Sequence, residues 1–398
     1  MTTTADRAGS PGSTEGLRRR NTSIVLRSLR QLGPATRAEL AKRTGLAKAT
    51  IGVIVAALEA GGAVTELERP GSVIAGRGRP GIPVALSGRR FLGLGLELNV
   101  DYVAVAVLDL AGEVRLSATR PVASSGDVDA LLALAAWARA EVTGQGEVLV
   151  AGTVAVPALV RGDNRTIDWA PNIGLSGEGL AADVGDVLGC PVRVLNDANC
   201  AAYAEAHHGA ATDTDHALYL TGTVGIGAGI VDRGELIRGA VGFAGEVGHM
   251  PIGDSTALCG CGRLGCWEAS IGLHAVLAKV GMPELDTPLA TAAAVAAAAR
   301  ADRRVAAALD SVGRDVGLGL AMLTSVLDPA VVVLGGYFVP LGELVLGPAR
   351  DALDARLASS AQHRPELRLS ALGIEAAAIG AAEQSFSGVY GGDLDLPV

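Results

Sequence analysis

From Phe91 onward, short runs of almost purely apolar residues alternate with longer Ala-rich stretches, and this alternation limits most of the chain to α/β layers. The runs Leu92–Leu98, Val103–Leu108, Val148–Val156, Val192–Leu195, Leu218–Leu220 and Val331–Leu334 read as strands. Several are too apolar to leave a face in water, as in strands covered on both sides. Between them Val128–Glu141, Ala198–His207 and Thr287–Leu309 read as helices, and no internal repeat of roughly 20 to 50 residues is visible. A length of 398 residues is enough for two or three domains. Hydrophobic residues make up 49%, which raises the question of a membrane protein. The longest uncharged run, Ala217–Val231, contains four glycines and falls short of the roughly 18 to 20 apolar residues that a spanning helix needs. Residues 1–16 have no apolar stretch of the signal-peptide kind and are expected to be a disordered tail on a cytoplasmic protein.

Charge divides the chain. Residues 1–90 hold 15 Lys and Arg against 6 Asp and Glu, a net of +9, whereas the other 308 hold 18 against 36, a net of −18. A basic head on an acidic body suggests a polyanion-binding module joined to something else. Within residues 17–90, Ile24, Val25, Leu26, Leu29 and Leu32 have helical spacing up to the breaker pair Gly33-Pro34. Thr36 and Glu39 have capping-box spacing and start a short second helix, and Ala47–Leu58 forms a third with Ile51, Ile54, Val55 and Leu58 buried. Val64–Leu67 and Val84–Leu86 can pair as a hairpin tipped by Arg77-Gly78-Arg79-Pro80. The segment resembles the winged helix-turn-helix of bacterial regulators. On that resemblance Lys48, Ala49 and Thr50 meet base edges, while Arg37, Arg77 and Arg79 are further DNA-binding candidates. The third helix is unusually apolar for this role, with Ala47, Gly52 and Val53 at positions that commonly carry polar residues. A dimerisation arm is the alternative use of such a unit.

Three of the five cysteines fall in Cys259-Gly-Cys261-Gly-Arg-Leu-Gly-Cys266, and His249 lies just upstream. Three thiolates and one imidazole complete a tetrahedral site with no open position, which points to structural zinc. Cys190 and Cys200 read as core thiols.

The arrangement GEVGHM…CGCGRLGCWE resembles the signature of the ROK family of repressors and sugar kinases, built on the two-lobed actin-like ATPase fold. APN at 170–172, NDANCAAYAE at 196–205, TGTVGIGAGIV at 221–231 and VVVLGG at 331–336 follow in the family's order, so residues 91–398 are expected to be a ROK sugar-binding domain. The resemblance implies a sugar site made by Asn172, Asn196, Asp197, Glu246, His249 and Glu268, with Asp197 at the position of the kinases' general base. Amides and carboxylates suit a ring of hydroxyls that both donate and accept. His249 can bind zinc through one nitrogen and a sugar through the other. Local roles stand beside these: Asn172, Asn196 and Asp197 as turn or cap residues, Glu246 and Glu268 as solvated loop charges.

The kinases of the family carry an Asp-x-Gly-Gly-Thr phosphate turn, and here the sequence is Glu97-Leu-Asn99-Val100-Asp101. Gly225, Gly227 and Gly229 of the second phosphate loop remain, but Val224 stands where a Thr would face the phosphates. Phosphoryl transfer depends on positioning and charge stabilisation, so no ATP cofactor and no catalytic residue are expected. The sequence therefore reads as a sugar-responsive repressor, a homodimer or tetramer whose partners are operator DNA and a small sugar effector. An ATP-dependent sugar kinase with an appended DNA-binding head is the alternative.

Overall fold

The structure, a computed structural model, describes residues 14–67, 81–144, 146–223, 225–357 and 363–397. It begins with α1 (Thr14–Leu32), β1 (Ala35–Thr36), α2 (Arg37–Thr44), α3 (Lys48–Ala60), β2 (Val64–Glu66) and β3 (Pro83–Leu86). The capping box at Thr36 and Glu39 is formed, and Arg43 at the other end of α2 reaches the carbonyls of Leu32 and Gly33. The strands make a three-stranded sheet in the order β1-β3-β2. Helix α1 starts at Thr14, inside the expected tail and ten residues ahead of Ile24. Its first turns are polar and are held by side chains rather than by an apolar stripe, with Arg19 bonded to Asp395 at 2.5 Å. Arg77 and Arg79 of the expected wing tip, and Val224, lie outside the described residues.

The first large sheet contains β4 (Phe91–Leu98), β5 (Tyr102–Asp109), β6 (Val114–Pro121), β7 (Val148–Val156) and, after α4 (Val128–Val142), the ribbon β8 (Leu159–Val160) and β9 (Ile167–Trp169), and α5 (Gly179–Leu188), the strand β10 (Val192–Asn196). Helix α6 (Asp197–His208) leads into the second, with β11 (His216–Gly222), β12 (Ile226–Asp232) and β13 (Glu235–Leu236). Then come α7 (Glu268–Ile271), α8 (Leu273–Val280), α9 (Pro288–Ala301), α10 (Arg303–Leu327), β14 (Val331–Gly336), α11 (Phe338–Leu341), α12 (Glu343–Arg356), β15 (Glu366–Leu369), α13 (Ala376–Gln384) and α14 (Ser387–Gly391). The stretch expected as one helix over Thr287–Leu309 breaks at Asp302, whose carboxylate caps α10 by accepting from Arg304 N.

The strand orders are β10-β7-β4-β5-β6 and β15-β14-β11-β12-β13. In both sheets the first strand pairs antiparallel with the second and parallel with the next one reached by a crossover, so the two lobes share one topology. Five layers result. Helices α4 and α5 cover the outer face of the first sheet, α8 to α12 cover the outer face of the second, and α6 with α13 fill the space between the sheets.

Strand periodicity decides what faces that middle layer. In β4, Leu92, Leu94, Leu96 and Leu98 point to α4 and α5, leaving Gly93, Gly95 and Glu97 on the side of α13. A Cβ on Gly95 would lie 2.1 Å from the Ala378 carbonyl oxygen, and one on Gly380 would lie 1.8 Å from that of Cys200. Helix α13 is thus pressed against β4 on one side and α6 on the other. The head shares a core with the body: Val25, Leu26, Ile51 and Leu58 cluster with Phe91, Val150, Phe386 and Val389. Among the described residues no helix is long and apolar enough to cross a membrane.

Because a methyl at Gly380 must force α6 and α13 apart, Gly380→Ala is expected to lower stability by about 1–3 kcal/mol. Urea denaturation measures it, and an unchanged midpoint would show that the contact yields easily.

Candidate functional site

Strands β7 and β10 end side by side in the first lobe and face the β11–β12 hairpin of the second, which makes a crevice at the carboxyl ends of parallel strands, where α/β sheets bind ligands. Asn172, Asn196, Asp197, Glu246, His249 and Glu268 all line this one cavity of ≈ 330 Å³. Asn196 is the N-cap of α6, its Oδ1 accepting from Asn199 N at 3.0 Å while Nδ2 donates to the Ala158 carbonyl at 3.2 Å. Its capping role and its place in the cavity wall therefore coexist. Asp197 opens α6, and its Oδ1 accepts from Ala198 N. Burial, helped by the charge of Glu246 and opposed by backbone N–H donors, pushes its carboxyl up to about 7. Asn172 is exposed at the rim.

Glu268 is more constrained than a loop charge. Its Oε2 accepts from Ile226 N at 2.9 Å, and Oε1 lies 3.4 Å from the Cys259 sulfur. It ties the β12 hairpin to the cysteine loop. In that loop one donor atom each from His249, Cys259, Cys261 and Cys266 lies within 4.8 Å of all the others. Cys259 Sγ is 3.8 Å from His249 Nδ1, and Cys261 Sγ is 3.6 Å from Cys266 Sγ. A tetrahedron with metal–sulfur bonds of about 2.3 Å has edges of about 3.8 Å, so the four residues fit a single ion. With Nδ1 turned to sulfur, Nε2 of His249 is the nitrogen left for the cavity.

Sequence reading missed several residues of this wall. Trp169, on β9 and 47% exposed, lines the cavity with Thr221, Thr223 and His274. An exposed Trp three residues before Asn172, in a chain with only three Trp, was the available signal. Its ring offers an apolar face of the kind on which a sugar's C–H surface rests.

At the turn after β4, where the kinases of the family carry their phosphate turn, the backbone is closed on itself. Asn99 N donates to the Tyr102 carbonyl and Val100 N to Asn99 Oδ1, so these two amides already have acceptors. Glu97 Oε1 accepts from Tyr102 Oη at 2.7 Å and from Asn99 Nδ2 at 2.9 Å. Burial outweighs those two hydrogen bonds and, with the nearby Asp197 and Asp101, raises the Glu97 carboxyl to about 8. Near neutral pH the carboxyl therefore mostly keeps its proton.

The positions of the predicted DNA-facing residues differ. Lys48 and Ala49 are exposed at the start of α3, and Thr50 is half-buried. Arg37 instead is paired within the head, 2.8 Å from Glu66 and 3.5 Å from Glu59.

The carboxyls of Glu97 and Asp197 hold their protons to higher pH in the folded chain than in the unfolded one, so the unfolded chain binds fewer protons between about pH 5 and 8 and stability falls as pH rises through that window. The urea midpoint is expected to decline from pH 5 to 8, and Glu97→Gln to flatten part of the decline. A full slope in the variant would exclude this origin.

Comparison with known proteins adds to this geometry. The ROK family profile matches residues 93–384. The xylose repressor of Bacillus subtilis is 28% identical over 363 residues, covering 90% of this chain and 93% of that protein. A glucokinase of Streptomyces coelicolor is 30% identical over 312 residues, covering 73% of this chain and 96% of its own. Among solved structures, a ROK family transcriptional regulator described as a homologue of Escherichia coli Mlc superposes with a TM-score of 0.77 at 23% identity, over 95% of this chain and 98% of that one. That likeness extends through the head. The signature motifs, the paired sheets and the profile match agree, and the chain belongs to the ROK family.

Proposed function

We propose that the protein is a sugar-responsive transcriptional repressor, in which residues 17–90 act as a winged helix-turn-helix on operator DNA and the cavity around Asp197 takes a sugar effector. One observation carries this reading: the helix that starts in the cavity ends at the contact that holds the head. Helix α6 runs about 18 Å from Asp197 to His208. His208 Nε2 lies 3.1 Å from Glu383 Oε2, and Glu383 Oε1 accepts from Arg30 Nε of α1 at 2.8 Å. Burial alone would raise the Glu383 carboxyl, but His208 and Arg30 outweigh it and hold it at about 2, so the acid is charged at physiological pH. A sugar that shifts α6 against the second lobe therefore acts on α1 directly. The relevant free energy is the sugar's differential affinity for the two arrangements.

In the head, α3 would enter the major groove by its exposed start, Lys48 and Ala49, with Val53 on the same side and 70% exposed. Ala49 and Val53 suit thymine methyl groups rather than hydrogen-bonding edges. Arg37 contributes to DNA only by giving up Glu59 and Glu66. Two half-sites about one helical turn apart require at least a homodimer, with a tetramer as the larger option, and the DNA partner places the protein in the cytoplasm. Zinc is the ion proposed for His249, Cys259, Cys261 and Cys266; bound there, it supplies a closed structural centre that fixes the His249 ring at the sugar cavity. The closed turn at Asn99 and the neutral Glu97 favour a non-enzymatic sensor over a kinase, although Asp197 is retained.

Several measurements test the reading. Thermal unfolding with a sugar panel headed by xylose, the ligand in the name of the Bacillus subtilis relative, should rise for one sugar and be indifferent to Mg-ATP. Turnover in an ADP-coupled assay would overturn it. Metal analysis should find one zinc per chain, lost in Cys266→Ala. Arg30→Met, which takes the guanidinium from buried Glu383 and leaves it the His208 contact, should cost up to about 3–5 kcal/mol in stability. It should also keep sugar binding while bringing the ratio of operator affinities with and without sugar towards 1; an unchanged ratio would remove α6 from the signal path.

A further inference from the structure

Asp197, Thr221 and Thr223 line not one cavity but two. The second, of ≈ 260 Å³, lies between the lobes on the side of β4 and the start of α13. Its inner wall is built from buried Ala201, Tyr219, Tyr337 and Ala377, and its mouth includes the exposed Thr119 and Ile374. Among the described residues no Lys, Arg or His lines it, and its ionisable carboxyls are those of Glu97, Asp101 and Asp197. An anion has no counter-charge here. A cation would meet carboxyls that burial raises to about 8 at Glu97 and about 7 at Asp197, which weakens their counter-charge.

Glu97 gives the cavity one specific polar feature. Its side chain is buried, both neighbouring donors, Tyr102 Oη and Asn99 Nδ2, converge on Oε1, and Oε2 has no hydrogen-bond partner among the described residues. The oxygen that accepts two hydrogen bonds is the carbonyl-like one, so the proton belongs on Oε2. A buried O–H without an acceptor is a group that a ligand can satisfy. We propose that this cavity binds an uncharged, largely apolar small molecule carrying one acceptor oxygen, such as an aromatic ketone or ether, which takes a hydrogen bond from Glu97 Oε2. The site is separate from the sugar cavity and does not depend on the sugar's identity. The shared wall of Asp197 and Thr221 places its occupant in contact with residues that also face the sugar.

The test uses the full-length protein and prodan, a neutral naphthyl ketone whose emission shifts to the blue in apolar surroundings. Saturable, equimolar binding with a blue shift is expected. Thr119→Trp and Ile374→Trp, at exposed positions that leave the core intact, should each weaken it at least tenfold by filling the mouth. Glu97→Gln, which keeps the shape and presents an N–H donor in place of Oε2–H, should bind within twofold of the parent, and Glu97→Leu at least fivefold more weakly. Circular dichroism and unfolding midpoints check that the variants fold. Absence of saturable binding would overturn the proposal. So would equal binding by both mouth variants, equal affinity for the anionic naphthalene sulfonate ANS, or displacement of prodan by 1-naphthylmethylammonium at lower concentration than by unlabelled 2-acetylnaphthalene.

Discussion

The contact between α13 and its two neighbours sets the dimensions of the whole body. With Gly95 and Gly380 at the crossings, backbone meets backbone without intervening side chains, and the middle layer is thinner than two ordinary helices between two sheets would make it. This closeness has mechanical content. Large interlocking side chains can change rotamer and let helices slide, whereas helices in backbone contact move together. Helices α6 and α13 run in the same direction, from the two cavities at their starts to Glu383 and His208 at their ends. The pair spans the body from the cavities to the head as one strut.

Glu205 strengthens the same strut from within. It is buried on α6, yet its carboxylate accepts from Ala210 N, Ala371 N, Leu372 N and Ser370 Oγ. One side chain thereby gathers the loop that closes α6 and the segment that leads into α13. A buried acid satisfied by four donors fixes geometry more than it adds stability, since its desolvation offsets much of the gain.

Much of this was legible in the sequence, for reasons that differ by element. The almost purely apolar runs at 92–98, 148–156 and 331–334 became central strands because no other element buries both faces of so short a segment. The edge strand Val114–Pro121 escaped notice because its residues are mostly exposed and polar. The cysteine cluster and the six cavity residues were found by motif, where residue type and spacing carry the chemistry. Trp169 and the Glu97–Asn99–Tyr102 cluster were not, because their meaning lies in which face of a strand or ribbon they occupy. The shared topology of the two lobes left no repeat in the sequence, since a fold is preserved by apolar pattern and turn position while residue identity drifts. The start of α1 was hidden because its partners, Asp395 and Tyr390, are more than 360 residues away.

That last separation bears on how the molecule is made. The head is synthesised before the body, yet its core is completed by Phe386, Val389 and Leu396, and Arg27 of α1 reaches the Tyr390 carbonyl. Until those residues have been synthesised, the face of α1 that they cover stays open, and the head exists as a small three-helix unit with part of its core in water. Docking is then a late, long-range closure, slow by the ordinary relation between sequence separation and folding rate. A chain without residues 386–396 would carry a head with this face of α1 uncovered and its contact with α14 missing. The link between head and body thus forms only once residues 386–396 have joined the fold, although the segments it connects lie far apart in sequence.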